Sequence, residues 1–231
     1  MVWLGVPVML VYHGSDHIIE VPVYNGGKRT NDYGSGFYTT ESLDLAKEWA
    51  CSDNRDGFAN SYEAELDGLS VLNLNAPGFC ILNWLAVLAK FRTYWQNGSV
   101  AEEAKDYLQQ HFFVDPTPYD VVIGYRADDS YFTFAQDFVS GAISLSKLSE
   151  AMRLGKLGEQ IVFRSREAFA HIHFVGAEPA SAAIWHEMKV SRDLEARKAY
   201  RRTKKVPSMV NDLFMIDIMR ESMKSGDPRL Q

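Results

Sequence analysis

The chain has 231 residues, of which 46% are hydrophobic and 23% are charged, and its formal net charge is -6. These values are typical of one globular domain or two small ones, and they exclude a highly charged disordered chain. The net negative charge also argues against a general attraction to nucleic acid, although a local basic patch stays compatible with it. Two cysteines without a CxxC pattern, Cys51 and Cys80, favour free thiols in a reducing cytoplasm over disulfides or a zinc site.

The N-terminal segment 1–12 is apolar but short. It lacks a basic region and a small-residue cleavage site, so it does not predict a signal peptide. No apolar run reaches the roughly 20 residues that a membrane span needs. We therefore expect a cytoplasmic protein without a membrane partner, with either Met1 or Met9 as its start.

The first half of the chain predicts short strands separated by loops. The strands are expected at 9–13, 37–39, 58–66 and 70–74, where apolar or alternating residues run between turn residues. The loop 25–36 contains four glycines, and Thr40 is a candidate N-cap for a helix that follows it. Glycines allow unusual dihedral angles or the close approach of a ligand.

The second half predicts a helical insertion at about 78–114, then strands at 119–125, 159–164 and 172–177, and helices at 180–203 and 210–224. Together, the predicted strands and helices indicate an α+β fold built on a split antiparallel or mixed sheet. We expect one domain over 1–178 that includes the insertion, and a C-terminal helical extension over 179–231.

His13 and Tyr38 are the first candidate site residues. His13 ends an apolar strand and is followed by Gly14 and Ser15, whose backbone N–H groups could reach a ligand; the alternative is a hydrogen-bonded core histidine. Because neighbouring strand residues point to opposite faces, Phe37 would join the core and Tyr38 would line a cleft where its ring could stack on a heterocycle. Tyr33 is a candidate second wall, or a plain loop aromatic.

Charged and amide groups could complete such a site. Lys28 and Arg29 in the glycine-rich loop are either solvated charges or phosphate contacts. Gln160 is either a polar residue at a strand edge or a group that bonds a sugar hydroxyl. Asp128 and Asp129 follow the strand at 119–125 and either face the cleft or cap a helix.

Other chemistries are poorly supported by the sequence. Neither the Walker pattern nor the full dinucleotide fingerprint is present. His171 and His173 would share a strand face but lack a third ligand, so no metal is expected. Ser15 and Ser35 lack the context of a nucleophile elbow.

The predicted C-terminal helix is locally basic. It carries Lys189, Arg192, Arg197, Lys198, Arg201, Arg202, Lys204 and Lys205. These side chains form either a solvated face with intrahelical ion pairs or a contact for nucleic acid or an acidic protein partner.

Three motifs together resemble the ADP-ribosyltransferase superfamily. They are Tyr-His-Gly-Ser around His13, Asp-Tyr-Gly-Ser-Gly-Phe-Tyr-Thr-Thr around Tyr38, and Gln-Ile-Val-Phe from Gln160. They resemble its diphtheria-toxin- and PARP-like branch, whose signature places His, Tyr and then Glu, Asp or Gln on three strands. The similarity is greater to a bacterial, toxin-like family that is often encoded beside a small antitoxin-like partner.

The resemblance implies an NAD-dependent ADP-ribosyltransferase with an unknown protein or nucleic-acid acceptor. His13 would bond a ribose hydroxyl of NAD, Tyr38 would stack on the nicotinamide, and Gln160 would take the third catalytic position. A neutral amide cannot act as a general base or match a carboxylate beside a cationic ribose. The missing carboxylate could come from Glu159, Asp128 or Asp129; otherwise the protein is a weakly catalytic NAD-binding or ADP-ribose-binding module, or a partner-binding protein.

Overall fold

The computed structural model describes residues 8–92, 98–127, 129–154 and 158–230. Asp128 and Trp95 therefore lie outside the described residues, and only the backbone of Asp129 is described. Within these ranges the chain forms eight α-helices and two β-sheets, which confirms the predicted α+β class. In this part of the chain, no helix is long and apolar enough to cross a membrane.

The elements follow one another along the chain, and residues 16–36 form the longest connection between them. The strands are β1 (Val8–Ser15), β2 (Phe37–Thr39), β3 (Gly57–Glu65), β4 (Val71–Asn73), β5 (Val121–Tyr125), β6 (Glu159–Phe163) and β7 (Ile172–Ala180). The helices are α1 (Leu43–Ala50), α2 (Ile81–Phe91), α3 (Ser99–His111), α4 (Asp129–Val139), α5 (Leu145–Ala151), α6 (Arg166–Ala170), α7 (Ala182–Lys205) and α8 (Met215–Arg220). A short 3-10 helix over Pro228–Leu230 follows α8.

Two sheets form the framework. The first is antiparallel with the strand order β1-β3-β7. The second has the order β2-β6-β5-β4, in which β4 and β5 are parallel and the other pairs antiparallel. A bridge between Tyr12 and Thr40 joins β1 to the chain just after β2. This bridge brings His13 close to the strand that carries Tyr38.

The second sheet separates two hydrophobic clusters. Its inner face packs against the first sheet through Phe37, Ile161 and Phe163, with Val11 and Tyr62 opposite them. Its outer face carries Val122 and Val162 into a larger cluster with the helices. Because strand side chains alternate between faces, Tyr38 and Gln160 belong to this outer, helix-covered face.

The glycines near β1 and β2 serve chain packing. A β-carbon on Gly14 would lie 2.0 Å from the Ala46 carbonyl oxygen of α1, and one on Gly36 would lie 2.5 Å from Cγ1 of Val162. Both contacts are closer than real β-carbons tolerate. These glycines therefore let α1 and the β2 entry lie against their neighbours, which differs from the expected approach to a ligand.

The helices broadly follow the sequence prediction. The helical insertion expected at about 78–114 is present as the two helices α2 and α3. The cap of α1 is Ser42, whose hydroxyl accepts from the Leu45 N–H at 3.3 Å, and not Thr40, which is used in the bridge to β1. Helix α7 packs on α1, α4 and α5, and buries Ala196 and Tyr200 in the helical cluster.

Candidate functional site

A cavity of about 560 Å³ lies on the outer face of the second sheet. Tyr38 from β2 and Gln160 from β6 line it, although 122 residues separate them in sequence. Trp49 from α1 and Arg126 from the segment after β5 also line it, and one face of α7 closes it. Its size is within the range of pockets that hold small-molecule ligands.

The Tyr38 hydroxyl is held by two hydrogen bonds to the loop before β2. It donates to the Gly34 carbonyl at 2.7 Å and accepts from the Tyr33 N–H at 3.0 Å. Burial raises the pKa of the Tyr38 phenol above its usual value, so the hydroxyl stays protonated at neutral pH. Tyr38 therefore presents a rigid ring to the cavity and does not act as a base.

Gln160 is a buried, uncharged polar residue of the cavity. The residue is only 6% exposed, and its Oε1 atom has no hydrogen-bond partner among the described residues. Its strand neighbour across the sheet is Gly124, which has no side chain to bond it. A buried acceptor without a donor costs about 1–3 kcal/mol, so this oxygen is available to a ligand hydroxyl or amide.

Trp49 and Arg126 form a stacked pair beside Gln160. The Arg126 guanidinium carbon lies 3.9 Å from the centroid of the Trp49 ring, a cation–π distance. The indole Nε1 of Trp49 is buried and has no acceptor. The pair thus adds an aromatic surface, a positive charge and an unused hydrogen-bond donor to the cavity.

The loop before β2 supplies an acidic residue that is already neutralised. Asp32 is buried and accepts from Arg92 Nε at 2.7 Å and from the Ala127 N–H at 2.9 Å. Burial raises the pKa of the Asp32 carboxyl, while Arg92 and the Ala127 N–H oppose that rise. This arrangement ties the loop to α2 and to the end of β5, and it leaves Asp32 structural.

The opposite wall is one stripe of α7. Residues spaced by three or four positions face the cavity: His186, Lys189, Val190, Asp193, Leu194 and Arg197. Arg197 Nε bonds Asp193 at 2.8 Å. Arg192 pairs with the buried Glu48 of α1, which holds the helix in place.

His13 does not line this cavity. Its Nδ1 lies 2.7 Å from the Tyr38 carbonyl oxygen, and its ring lies 4.5 Å from the Phe37 ring on the inner side of the sheet. Burial lowers the pKa of the His13 imidazole, which favours the neutral ring at pH 7. The structure therefore connects His13 to the backbone of Tyr38 and not to the cavity itself.

Four further predicted binding residues lie elsewhere. Gly14 faces α1, and the Ser15 hydroxyl donates to the His17 carbonyl while it accepts from Asn60 Nδ2. Lys28 and Arg29 are exposed on the loop surface and are absent from the cavity lining. The expected phosphate contact of this loop thus has no counterpart in the cavity.

Tyr33 is fully buried and donates its hydroxyl to the Tyr125 carbonyl. It supports Tyr38 through its backbone N–H and cannot form a second wall, because none of its ring is exposed. Glu159 is exposed, accepts from Asn75 Nδ2 at 2.7 Å and does not line the cavity. Among the described residues, no cluster of three or more His, Cys, Asp or Glu suited to a metal exists.

A second cavity of about 730 Å³ lies between α5, the start of α2 and the C-terminal segment. It is the larger of the two, but none of the predicted site residues lines it. The smaller cavity, which combines Tyr38 with Gln160, is therefore the candidate site.

The comparisons with known proteins give one result. A family model described as "protein of unknown function (DUF3990)" matches residues 9–174, which is more than half of the chain. The chain belongs to this family. No curated protein and no solved structure matches it.

The DUF3990 region supplies most of the cavity, including Tyr38, Trp49, Arg126 and Gln160. Helix α7 begins after residue 174, so its wall is added from outside that region.

Sequence reasoning did not predict Trp49, Arg126 or the α7 stripe as site residues. The one available signal for α7 was its density of basic residues. Three of these are ion-paired, namely Arg192, Arg197 and Lys204, and four others form an exposed stripe: Lys198, Arg201, Arg202 and Lys205.

Proposed function

We propose that this DUF3990 protein is an NAD-dependent ADP-ribosyltransferase whose active site is the cavity on the second sheet. The observation that carries the proposal is the unpartnered, buried Oε1 of Gln160 in a cavity that also presents Tyr38 and Trp49. Two aromatic rings suit a flat heterocycle, and a lone acceptor suits a sugar hydroxyl.

NAD fits the chemistry of this lining. Its nicotinamide would lie against Tyr38 and Trp49, and a hydroxyl of the adjacent ribose would donate to Gln160 Oε1. The cavity also holds more cations than anions, with Arg92, Arg126, Lys189 and Arg197 against Asp32 and Asp193. This excess is favourable for a ligand with a negatively charged diphosphate.

The proposed reaction exchanges the substituent on one ribose carbon. The bond from the ribose C1′ to the nicotinamide nitrogen breaks, and nicotinamide leaves with the bonding electron pair. The ribose then has oxocarbenium character, and an acceptor oxygen or nitrogen forms the new bond to C1′ and releases its proton to water. Gln160 would orient the ribose, and its carbonyl dipole would face the developing positive charge.

In this proposal, His13 is a positioning residue. Its ring nitrogen holds the main chain at Tyr38, and its ring packs on Phe37, the preceding residue of β2. The contact fixes the strand from which Tyr38 projects into the cavity. His13 therefore acts on the nicotinamide through Tyr38.

A cytoplasmic toxin or defence effector is the biological role that we propose. The exposed cationic stripe of α7 would favour an acceptor with an acidic surface, either a protein or a nucleic acid. A small antitoxin-like protein would be the neutralising partner.

Transfer can be measured with NAD labelled on the adenosine part and incubated with the protein and a cell lysate. We expect labelled macromolecules and free nicotinamide with the wild type, and at least a hundredfold less of both with Tyr38→Ala. The matched control is Tyr119→Ala, since Tyr119 does not line the cavity. Equal labelling by wild type and Tyr38→Ala, or none by either, would refute the proposal.

A second candidate, an NAD-binding or ADP-ribose-binding module without turnover, is favoured by one observation. Both carboxylates of the cavity, Asp32 and Asp193, are ion-paired, and the third catalytic position has a neutral amide. Binding of NAD without nicotinamide release would support this module. Turnover that appears only in Gln160→Glu would identify the amide as the limiting group.

A further inference from the structure

The α7 wall contains a cation that stands apart from the others in the cavity. Arg92 is paired with Asp32, Arg197 is paired with Asp193, and Arg126 is stacked on Trp49. Lys189 makes no hydrogen bond or ion pair with any described residue, and it is only partly exposed. An ammonium that lines a cavity and has no ion pair of its own is a position that favours an anion.

Two other groups of the same cavity each lack a hydrogen-bond partner among the described residues. The Trp49 indole N–H lacks an acceptor, and the Gln160 carbonyl oxygen lacks a donor. The cavity thus offers two unused donors, Lys189 Nζ and Trp49 Nε1, and one unused acceptor. A ligand that satisfies all three has both anionic oxygens and a hydroxyl or amide group.

We propose that Lys189 forms the diphosphate subsite of the cavity, so that a helix outside the DUF3990 region selects ligands that contain a nucleoside diphosphate. This inference rests on the proposed function for the identity of the ligand, but its chemistry requires only a diphosphate attached to a sugar. The ammonium contacts a phosphate oxygen as a point charge, and the indole N–H donates to an adjacent oxygen.

Contacts with α1 fix the position of α7 as a wall of the cavity. Arg192 of α7 is paired with the buried Glu48 of α1, and Lys47 of α1 lies 5.2 Å from the Trp185 ring. These contacts bind α7 to the helix that carries Trp49. The position of the Lys189 backbone relative to Trp49 is therefore set by the fold, and both residues line the same cavity.

The test is calorimetric binding of ADP, ADP-ribose and adenosine to the wild type, Lys189→Gln and Lys198→Gln. Lys198 is an exposed cation of the same helix that does not line the cavity, so it matches the change in charge. We expect Lys189→Gln to bind ADP and ADP-ribose about tenfold more weakly than the wild type does, which corresponds to the loss of one charge-assisted hydrogen bond. The affinity of Lys189→Gln for adenosine should equal that of the wild type. Lys198→Gln should bind all three ligands as tightly as the wild type does.

The outcomes separate the subsite from the proposed enzyme activity. If Lys189→Gln binds ADP and ADP-ribose as tightly as the wild type, or if the wild type binds neither, the subsite is overturned, even where NAD transfer is observed. If ADP binding depends on Lys189 while no transfer from NAD occurs, the subsite stands and the transferase proposal fails. Equal losses in Lys189→Gln and Lys198→Gln would attribute the effect to general charge and would also overturn the subsite.

Discussion

The two faces of the second sheet differ in whether their buried polar side chains are fully hydrogen-bonded. On the inner face, Thr39 is fully buried, and its hydroxyl donates to the Ile161 carbonyl at 2.8 Å. On the outer face, Gln160 is also buried, but no described residue donates a hydrogen bond to its Oε1. The buried Thr39 of the inner face is therefore hydrogen-bonded, whereas the outer face keeps one buried acceptor without a donor among the described residues.

The largest effect should come from truncation on the inner face. Phe163 is fully buried between the two sheets, so Phe163→Ala leaves a cavity and lowers the free energy of unfolding by about 3–5 kcal/mol. Urea denaturation measures this loss. Val175→Ala on the exposed surface of β7 is the control, since Val175 is 55% exposed and its replacement should cost less than about 0.5 kcal/mol. Equal losses in the two variants would contradict a packed inner face.

A smaller loss is expected from the paired polar group of the inner face. Thr39→Val keeps the shape of the side chain but removes the hydrogen bond to Ile161. We expect the free energy of unfolding to fall by about 1 kcal/mol in the same denaturation assay. A variant as stable as the wild type would show that the inner face gains nothing from this bond.

The pH dependence of stability should reveal the buried His13. Burial lowers its pKa below the ordinary value of 6.5, so the unfolded chain binds the proton more readily than the folded one. The stability contribution is therefore intact above pH 6.5 and is lost as the pH falls from 6.5 towards the folded-state pKa. The free energy of unfolding can be measured in urea at pH 7.5 and 5.5. It should fall less between these two pH values in His13→Gln than in the wild type.

The control for this experiment is His173→Gln, because His173 is exposed on β7. Its acid loss should equal that of the wild type. A loss in His13→Gln that matches both would mean that His13 is not held in its neutral form by the fold.

The smallest effect on stability is expected at Gln160. Gln160→Leu removes a buried acceptor that has no partner, so the free energy of unfolding should stay the same or rise by up to about 1 kcal/mol. A loss above about 1 kcal/mol would show that the amide is satisfied in the folded protein, and it would remove the contrast with Thr39.

The fold was largely predictable because its strands are short, apolar and bounded by turn residues. The predicted strand positions agree with β1 to β7 to within about two residues at most ends. The cap of α1 was placed at Thr40 instead of Ser42, since both residues are good caps and only the bridge to Tyr12 decides between them.

The cavity was predictable only in part. Tyr38 and Gln160 were found from strand alternation and from a resemblance, but the glycine-rich loop was misleading. Gly36 lies against Val162, so a pattern typical of ligand approach arises here from chain packing. Trp49 and Lys189 line one cavity only because α7 packs on α1 across about 140 residues of sequence, and no local sequence pattern predicts such packing.

The most direct test of the account is calorimetric titration of NAD into the wild type, Gln160→Leu and Gln136→Leu. Gln136 is also buried with an unpartnered amide atom, its Nε2, but it does not line the cavity. We expect the wild type and Gln136→Leu to bind NAD with equal affinity and Gln160→Leu to bind it at least about tenfold more weakly. Equal affinity in all three proteins, or no binding to the wild type, would contradict the assignment of this cavity as the NAD site.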